Sequence, residues 1–217
     1  MSILIVSSTI KEILQLIDKY DFKQITNHIY QCNEITILIS GIGIHNISLH
    51  TTKQISKKKY DLVINAGIAG SFSQEFQLGE IANVTSDCFA DLGIEDGDEF
   101  KSLFDCELVS KNEFPFTNGY ILNKSILPFP IQANSASAIT VNTVSGNGAT
   151  IKFRKKKYNP DIESMEGAGF AFVCEHFNQP YIQIRSVSNM IDVRSNQEWN
   201  FDLAVEKLNS FLSKLLF

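Results

Sequence analysis

Three side chains of complementary chemistry fall within one stretch, Ile162 to Arg194, which reads IESMEGAGFAFVCEHFNQPYIQIRSVSNMIDVR. Glu166 leads an apolar, small-residue helix, and Arg185 and Asn189 sit at the end of the apolar strand that follows. In an α/β protein the C-terminal ends of strands and the N-terminal ends of helices face a common crevice, where ligands bind. A carboxylate that accepts, a guanidinium that donates and an amide would then meet around one small molecule. Each also has a plainer reading. Glu166 could be a helix-start charge favoured by the helix dipole, Arg185 half of a structural ion pair, and Asn189 a turn residue.

Two glycine segments bear on the same crevice. Gly41-Ile42-Gly43 could cradle an anion on free backbone N–H groups or make a tight strand-to-helix turn. It is not a dinucleotide fingerprint, because His45-Asn46 stands where the third glycine belongs. Asn65-Ala66-Gly67-Ile68-Ala69-Gly70-Ser71 is built of small residues that let a flat ligand approach the backbone, or else form another turn. Near the N-terminus, Thr9 and Glu12 have the spacing of a capping box.

The elements that must position these residues alternate strand and helix. Ser2 to Val6 is a predicted strand, and Ile10, Ile13, Leu14 and Ile17 give Thr9 to Lys19 a helical period. Strands follow at Ile25 to Tyr30 and Ile35 to Ser40, then a helix from His45 to Lys58. Leu62 to Ala66 is a buried-type strand, closed by a Gly67–Gly70 turn. Further strands are expected at Ile81 to Thr85, Glu107 to Val109 and Ile139 to Val144. Helices are expected at Gly148 to Lys157 and Glu166 to His176, with the last core strand at Tyr181 to Val187 and a C-terminal helix from Glu198 to Leu216. The pattern predicts a single α/β domain, a three-layer α/β/α sandwich with a mixed central sheet.

Composition bounds the function. A chain of 217 residues, 44% hydrophobic, can bury one substantial core. Its net charge of -5 argues against a nucleic-acid partner. The basic runs Lys57-Lys58-Lys59 and Arg154 to Lys157 read as solvated helix ends. Cys32, Cys88, Cys106 and Cys174 have no metal-site or redox spacing, so no metal and no cofactor are expected, and the thiols read as reduced and partly buried. The apolar N-terminus is short and lacks a basic start, and no apolar run reaches membrane length. A cytoplasmic protein without a membrane partner is the expectation.

The Met165-Glu166 pair leading a small-residue helix, followed by Ile184-Arg185-Ser186-Val187-Ser188-Asn189, resembles the purine nucleoside phosphorylase and nucleosidase superfamily. Ile3 to Glu12 and Ser40 to Gly79 are similar to its nucleosidase branch. Gly70-Ser71-Phe72, the run Phe89 to Asp98, Thr140 to Gly146, and Ser188 to Arg194 followed by Trp199 resemble futalosine hydrolases. That resemblance spans essentially the whole of residues 1–217 as one nucleosidase-like domain. It implies hydrolysis of an inosine-like nucleoside whose 5′ carbon carries a carboxyphenyl ketone arm, releasing hypoxanthine on a route to menaquinone. A 5′-methylthioadenosine or S-adenosylhomocysteine nucleosidase, or a non-catalytic nucleoside-binding protein on the same fold, are the alternatives.

Cleaving an N-ribosidic bond puts positive charge on the sugar and negative charge on the departing base, so the site must match both. The resemblance implies that Glu166 accepts from the 2′ and 3′ hydroxyls, that Met165 packs on the ribose and that Glu12 takes a proton from the attacking water. It makes Arg185 the residue that orients that water and Glu12. Asn189 stands where adenine-specific relatives carry Asp. A 6-oxopurine presents two acceptors, N7 and O6, to which an amide can donate, so Asn189 predicts hypoxanthine over adenine. Ile68, Ala69, Gly70, Val144, Ser145 and Ser188 are the other expected substrate contacts. Ile68 replaces a small polar residue of some adenine-type relatives. Phe72 and Phe89 are candidates for the aryl slot and Arg194 for the cation on its carboxylate, although with 16 phenylalanines in the chain either ring could be plain core. No basic residue precedes Lys11 after the first strand and Glu12 follows, which favours water over phosphate as nucleophile. A homo-oligomer, dimer or higher, is implied by the resemblance alone.

Overall fold

The computed structural model describes residues 1–217 apart from Asp98, Pro128 and Gln197, and the backbone alone of Asn196. Asp98, the last residue of the Phe89 to Asp98 run, thus lies outside the described residues. β1 (Ile3–Ser7) is buried throughout, and α1 (Ile10–Lys19) turns Ile13, Leu16 and Ile17 inward. The expected strand at 25–30 is instead a hairpin of β2 (Lys23–Thr26) and β3 (Ile29–Cys32), with the turn at Asn27-His28. Then come β4 (Ile35–Ile39), α2 (Ile44–Ile55), β5 (Leu62–Ser71) and β6 (Ile81–Asp87). A small separate hairpin pairs β7 (Gly93–Asp96) with β8 (Glu99–Ser102). β9 (Ile121–Leu122), β10 (Asn134–Thr140), α3 (Gly148–Tyr158) and β11 (Ile162–Ser164) follow, then α4 (Gly167–His176), β12 (Tyr181–Met190) and α5 (Phe201–Leu216).

Four expectations are corrected. The Gly67–Gly70 stretch is not a turn but the second half of β5, because Gly67 and Ala69 pair with Arg185 and Val187 of β12. Ladder pairing there overrides the low strand preference of glycine. Residues 107–109 are a turn, with Glu107 at φ 55°, and not a strand. The strand expected at 139–144 lies earlier and ends at Thr140, where Asp91 draws Asn142 away through its N–H and its amide. The last helix begins at Phe201, capped by Asn200, whose side chain accepts from Leu203 N–H.

The main sheet runs β11-β10-β6-β12-β5-β1-β4-β3-β2. Its centre is parallel, β12-β5-β1-β4, while β6 runs antiparallel to β12. β11 also pairs antiparallel with β5, so the strands from β5 round to β11 close on themselves. Alternating side chains fill two layers of core. Ile5, Ile64 and Ile184 pack against Ile13 and Leu16 of α1 and Leu208 and Leu212 of α5. Val6 and Val63 face the other way, with Ile47 of α2 and Phe170 of α4. This is a three-layer α/β/α sandwich around a mixed sheet. No helix among the described residues is long and apolar enough to cross a membrane.

Candidate active site

A cleft of about 240 Å³ opens where β1, β5 and β12 end and α1 and α4 begin. Ser8, Thr9 and Glu12 line one side, Glu163, Met165 and Glu166 another, and Ile68, Ala69, Gly70 and Ser188 the floor. Ile42, Val144, Trp199 and Phe201 complete it.

Glu12 serves two structures at once. Its Oε2 accepts from Thr9 N–H at 2.8 Å and from Thr9 Oγ1 at 2.9 Å, so the capping interaction is real. Its Oε1 points across to β5 and accepts from Ile68 N–H at 3.2 Å. Burial pushes the Glu12 carboxyl above its usual range, and the Glu166 charge pushes it further the same way.

Glu166 is the N-cap residue of α4, 8% exposed, and its Oε1 accepts from Gly43 N–H at 2.9 Å. The Gly41-Ile42-Gly43 turn therefore does present an N–H to an anion, and the anion is a side chain of the same protein. Both glycines have positive φ, 88° and 95°, which suits glycine alone among common residues.

Arg185 lies beneath the floor, 2% exposed, and does not line the cleft. Its Nη2 donates to Asn65 Oδ1, and its Nη1 to Asn65 O at 3.5 Å and Ile184 O at 3.4 Å. Burial pulls its pKa down while Glu166, Glu12 and Asp87 hold it up, and among the described residues no ion pair within 4 Å joins it to a carboxylate. Asn189 is also 2% exposed and lies behind the lining residues Gly70 and Ser188, not among them. It sits at a bulge of β12 opposite Gly70, with Oδ1 3.0 Å from Ser188 Oγ and Nδ2 on the Gly70 side.

The Phosphorylase superfamily model matches residues 6–216. This chain belongs to the phosphorylase superfamily. Two superfamily relatives match at the same identity, 26%. One is the futalosine hydrolase of Streptomyces coelicolor, over 193 residues, 82% of this chain and 77% of the relative. The other is the 5′-methylthioadenosine/S-adenosylhomocysteine nucleosidase of Buchnera aphidicola, over 226 aligned positions, 97% and 91% of the two chains. Futalosine hydrolase of Helicobacter pylori superposes with a TM-score of 0.76 at 18% identity, covering 100% of this chain and 97% of that one, a likeness of fold.

Not every expected contact of this superfamily member reaches the cleft. Ser145 is held away from it: its N–H and Oγ both donate to Glu163 at 2.7 Å, and Arg154 Nη1 bonds the same carboxylate at 2.9 Å. Arg154, expected as a solvated helix end, is thereby buried. Phe72 packs in the core with Cys88, Ile139 and Val141. Phe89 lines a separate hollow of about 720 Å³ with Phe116 and Phe172. Arg194 stands over the Trp199 ring at 5.4 Å, beside Gly146 and Val144 at the rim. Trp199 and Phe201, which wall the cleft, were not singled out as contacts. Trp199 enters the sequence reading only as a motif residue, and both aromatics fall within the span expected as the C-terminal helix, where an aromatic reads as helix packing. Among the described residues no three His, Cys, Asp or Glu side chains converge as a metal site would require, and all four cysteines are free thiols.

Proposed function

We propose that this N-ribosyl hydrolase cleaves futalosine to hypoxanthine and the base-free arm-bearing sugar, as a cytoplasmic step toward menaquinone. The observation that carries the reading is Asn189, a buried amide next to Ser188 and opposite Gly70, both of which line the floor of a cleft that also holds Glu12 and Glu166. With Oδ1 beside Ser188 Oγ, the amide nitrogen is turned toward Gly70 and can donate to N7 or O6 of a 6-oxopurine.

In this reading Glu166 accepts from the ribose hydroxyls and Met165 packs on the sugar. Water attacks C1′ as the bond from C1′ to the base breaks, with the bonding electrons leaving on the base. Glu12 takes the water proton, its raised pKa making it a better base than an exposed glutamate. Asn189 has no proton to give, so the base leaves as a hydrogen-bonded anion and is protonated by solvent. Arg185 steadies Glu12 from below. Among the described lining residues there is no lysine or arginine, which favours water over phosphate.

Ile42, Ile68, Val144 and Trp199 offer the apolar wall that the aryl arm needs, and Arg194 at the rim is the cation for its carboxylate. Phe72 and Phe89 have no part in that wall. A homo-oligomer belongs to the same reading, supported by exposed Leu92 and Phe114 around the hollow lined by Phe89. The second reading, a methylthioadenosine or S-adenosylhomocysteine nucleosidase, draws on the Buchnera relative, which matches a larger share of the chain. Chromatography of the products from futalosine in phosphate-free buffer tests the reaction. Free hypoxanthine and a hydroxyl-bearing sugar are expected, and cleavage only after phosphate is added would contradict it.

A further inference from the structure

α4 begins with an N-cap residue whose side chain does not cap. Glu166 makes no bond to the first-turn N–H groups of its own helix and gives its carboxylate to Gly43 N–H instead. The donors left open at the helix start are met from neighbouring strands. Gly167 N–H donates to Ser164 Oγ at 3.2 Å, and Ala168 N–H donates to Thr140 Oγ1 at 2.7 Å. Thr140, fully buried at the end of β10, donates its own hydroxyl proton to Asp87 Oδ1 at 2.9 Å. A hydroxyl has one proton to give, so committing it to Asp87 turns the oxygen lone pairs toward Ala168 N–H. A Cβ on residue 167 would collide with Asp87 Oδ2 and Gln183 Oε1, so glycine there is what lets Asp87 lie directly beneath the helix start.

We propose that Thr140, oriented by Asp87, is a positioning residue for Glu166: by capping α4 in its place, it releases the Glu166 carboxylate to the cleft. An N-cap side chain ordinarily accepts from the second or third N–H of its helix. A buried N–H stripped of its acceptor is costly, and without the Thr140 hydroxyl the Glu166 carboxylate is the nearest acceptor along the chain. Removing that hydroxyl therefore draws Glu166 back over its own helix and away from the sugar. The inference rests on the reading in which Glu166 accepts from the ribose hydroxyls, and its test keeps the two apart.

The readout is the preference for a ribonucleoside over its 2′-deoxy analogue, as the ratio of kcat/KM values. It is measured with futalosine and 2′-deoxyfutalosine, and in parallel with methylthioadenosine and its 2′-deoxy form. Relative to the unmodified protein, Thr140→Val is expected to shrink the ratio about tenfold, toward the value of Glu166→Gln. Thr140→Ser and Asp87→Asn, which keep the hydroxyl and its acceptor, are expected to preserve it. Asp87→Ala, which leaves the hydroxyl unoriented, is expected to give an intermediate ratio and serves if Thr140→Val does not fold. A purely structural role would lower both substrates alike. The proposal is overturned if Thr140→Val, or Asp87→Ala in its stead, leaves the ratio intact while Glu166→Gln collapses it. If Glu166→Gln itself leaves the ratio intact, the ribose reading of Glu166 fails and the proposal falls with it.

Discussion

Glu12 Oε1 and Arg185 Nη1 flank one point in space, the position that a Cβ on Gly67 would occupy, 3.1 Å from the first atom and 3.2 Å from the second. The carboxylate of the α1 start and the guanidinium beneath the sheet thus approach each other across a residue that has no side chain. Gly67→Ala inserts a methyl group at that point. Its expected effect is a fall in kcat of about 10- to 100-fold, since small displacements of a reacting group cost that much. Steady-state kinetics with a melting curve would check it, and a fall in thermal stability with kcat unchanged would contradict the arrangement.

Glu12 both caps α1 and faces the cleft, and Glu12→Gln separates the two roles. Glutamine also serves at the third position of a capping box, so the melting temperature should hold. Turnover should fall by about 10²- to 10⁴-fold, the usual contribution of a general base, with substrate binding by calorimetry largely retained. Undiminished turnover would remove Glu12 from the mechanism.

Burial, and secondarily the Glu166 charge, raise the Glu12 pKa. A base must be ionised to act, so activity should fall on the acid side at a pH above the ordinary glutamate range. A profile of kcat/KM whose acid limb lies at or below that range would contradict the assignment.

Asp87 is buried, and burial pushes its carboxyl up to about 7. Below its unfolded value of 3.8 both states carry the proton and Asp87 contributes nothing to the pH dependence. As pH rises from there the unfolded chain ionises first, so stability declines until the pH passes about 7 and stays lower above it. Asp87→Asn keeps the acceptor for Thr140 and removes this penalty. Denaturant melts at pH 5 and pH 8 should show a drop of a few kcal/mol in the unmodified protein, at about 1.4 kcal/mol per pKa unit, and a flatter response in the variant. An equal drop in both would show that Asp87 does not titrate in this window.

Asn189→Asp exchanges an amide donor for a carboxylate that repels O6 when ionised. Hypoxanthine release is expected to fall by about tenfold or more, and adenine-type substrates to lose less. If the variant keeps the original order of substrates, Asn189 does not select the base.

Much of this arrangement was legible in the residues. Glu166 at a helix start and Asn189 at a strand end could be located from apolar runs alone, because those runs fix where each element begins and stops. The course of β5 through Gly67 was hidden, since glycine-rich composition signals a turn and only partner strands on both sides hold it extended. The pairing of Ser145 was hidden for a related reason. Its partner Glu163 lies 18 residues away and its second neighbour Arg154 looked like part of an exposed basic run. Buried polar pairing between distant residues leaves no periodic trace. The link between Thr140 and Asp87 was hidden in the same way: Thr140 stood out only as the first residue of a motif, and Asp87 as nothing at all, until the helix start is laid over them.

The most direct test of the central claim is the ratio of kcat/KM for futalosine to that for 5′-methylthioadenosine, measured by base release from purified protein without phosphate. A ratio far above one is expected, with hypoxanthine as the product. A ratio below one, with adenine released from methylthioadenosine, would contradict it and assign the cleft to the aminopurine nucleosidases.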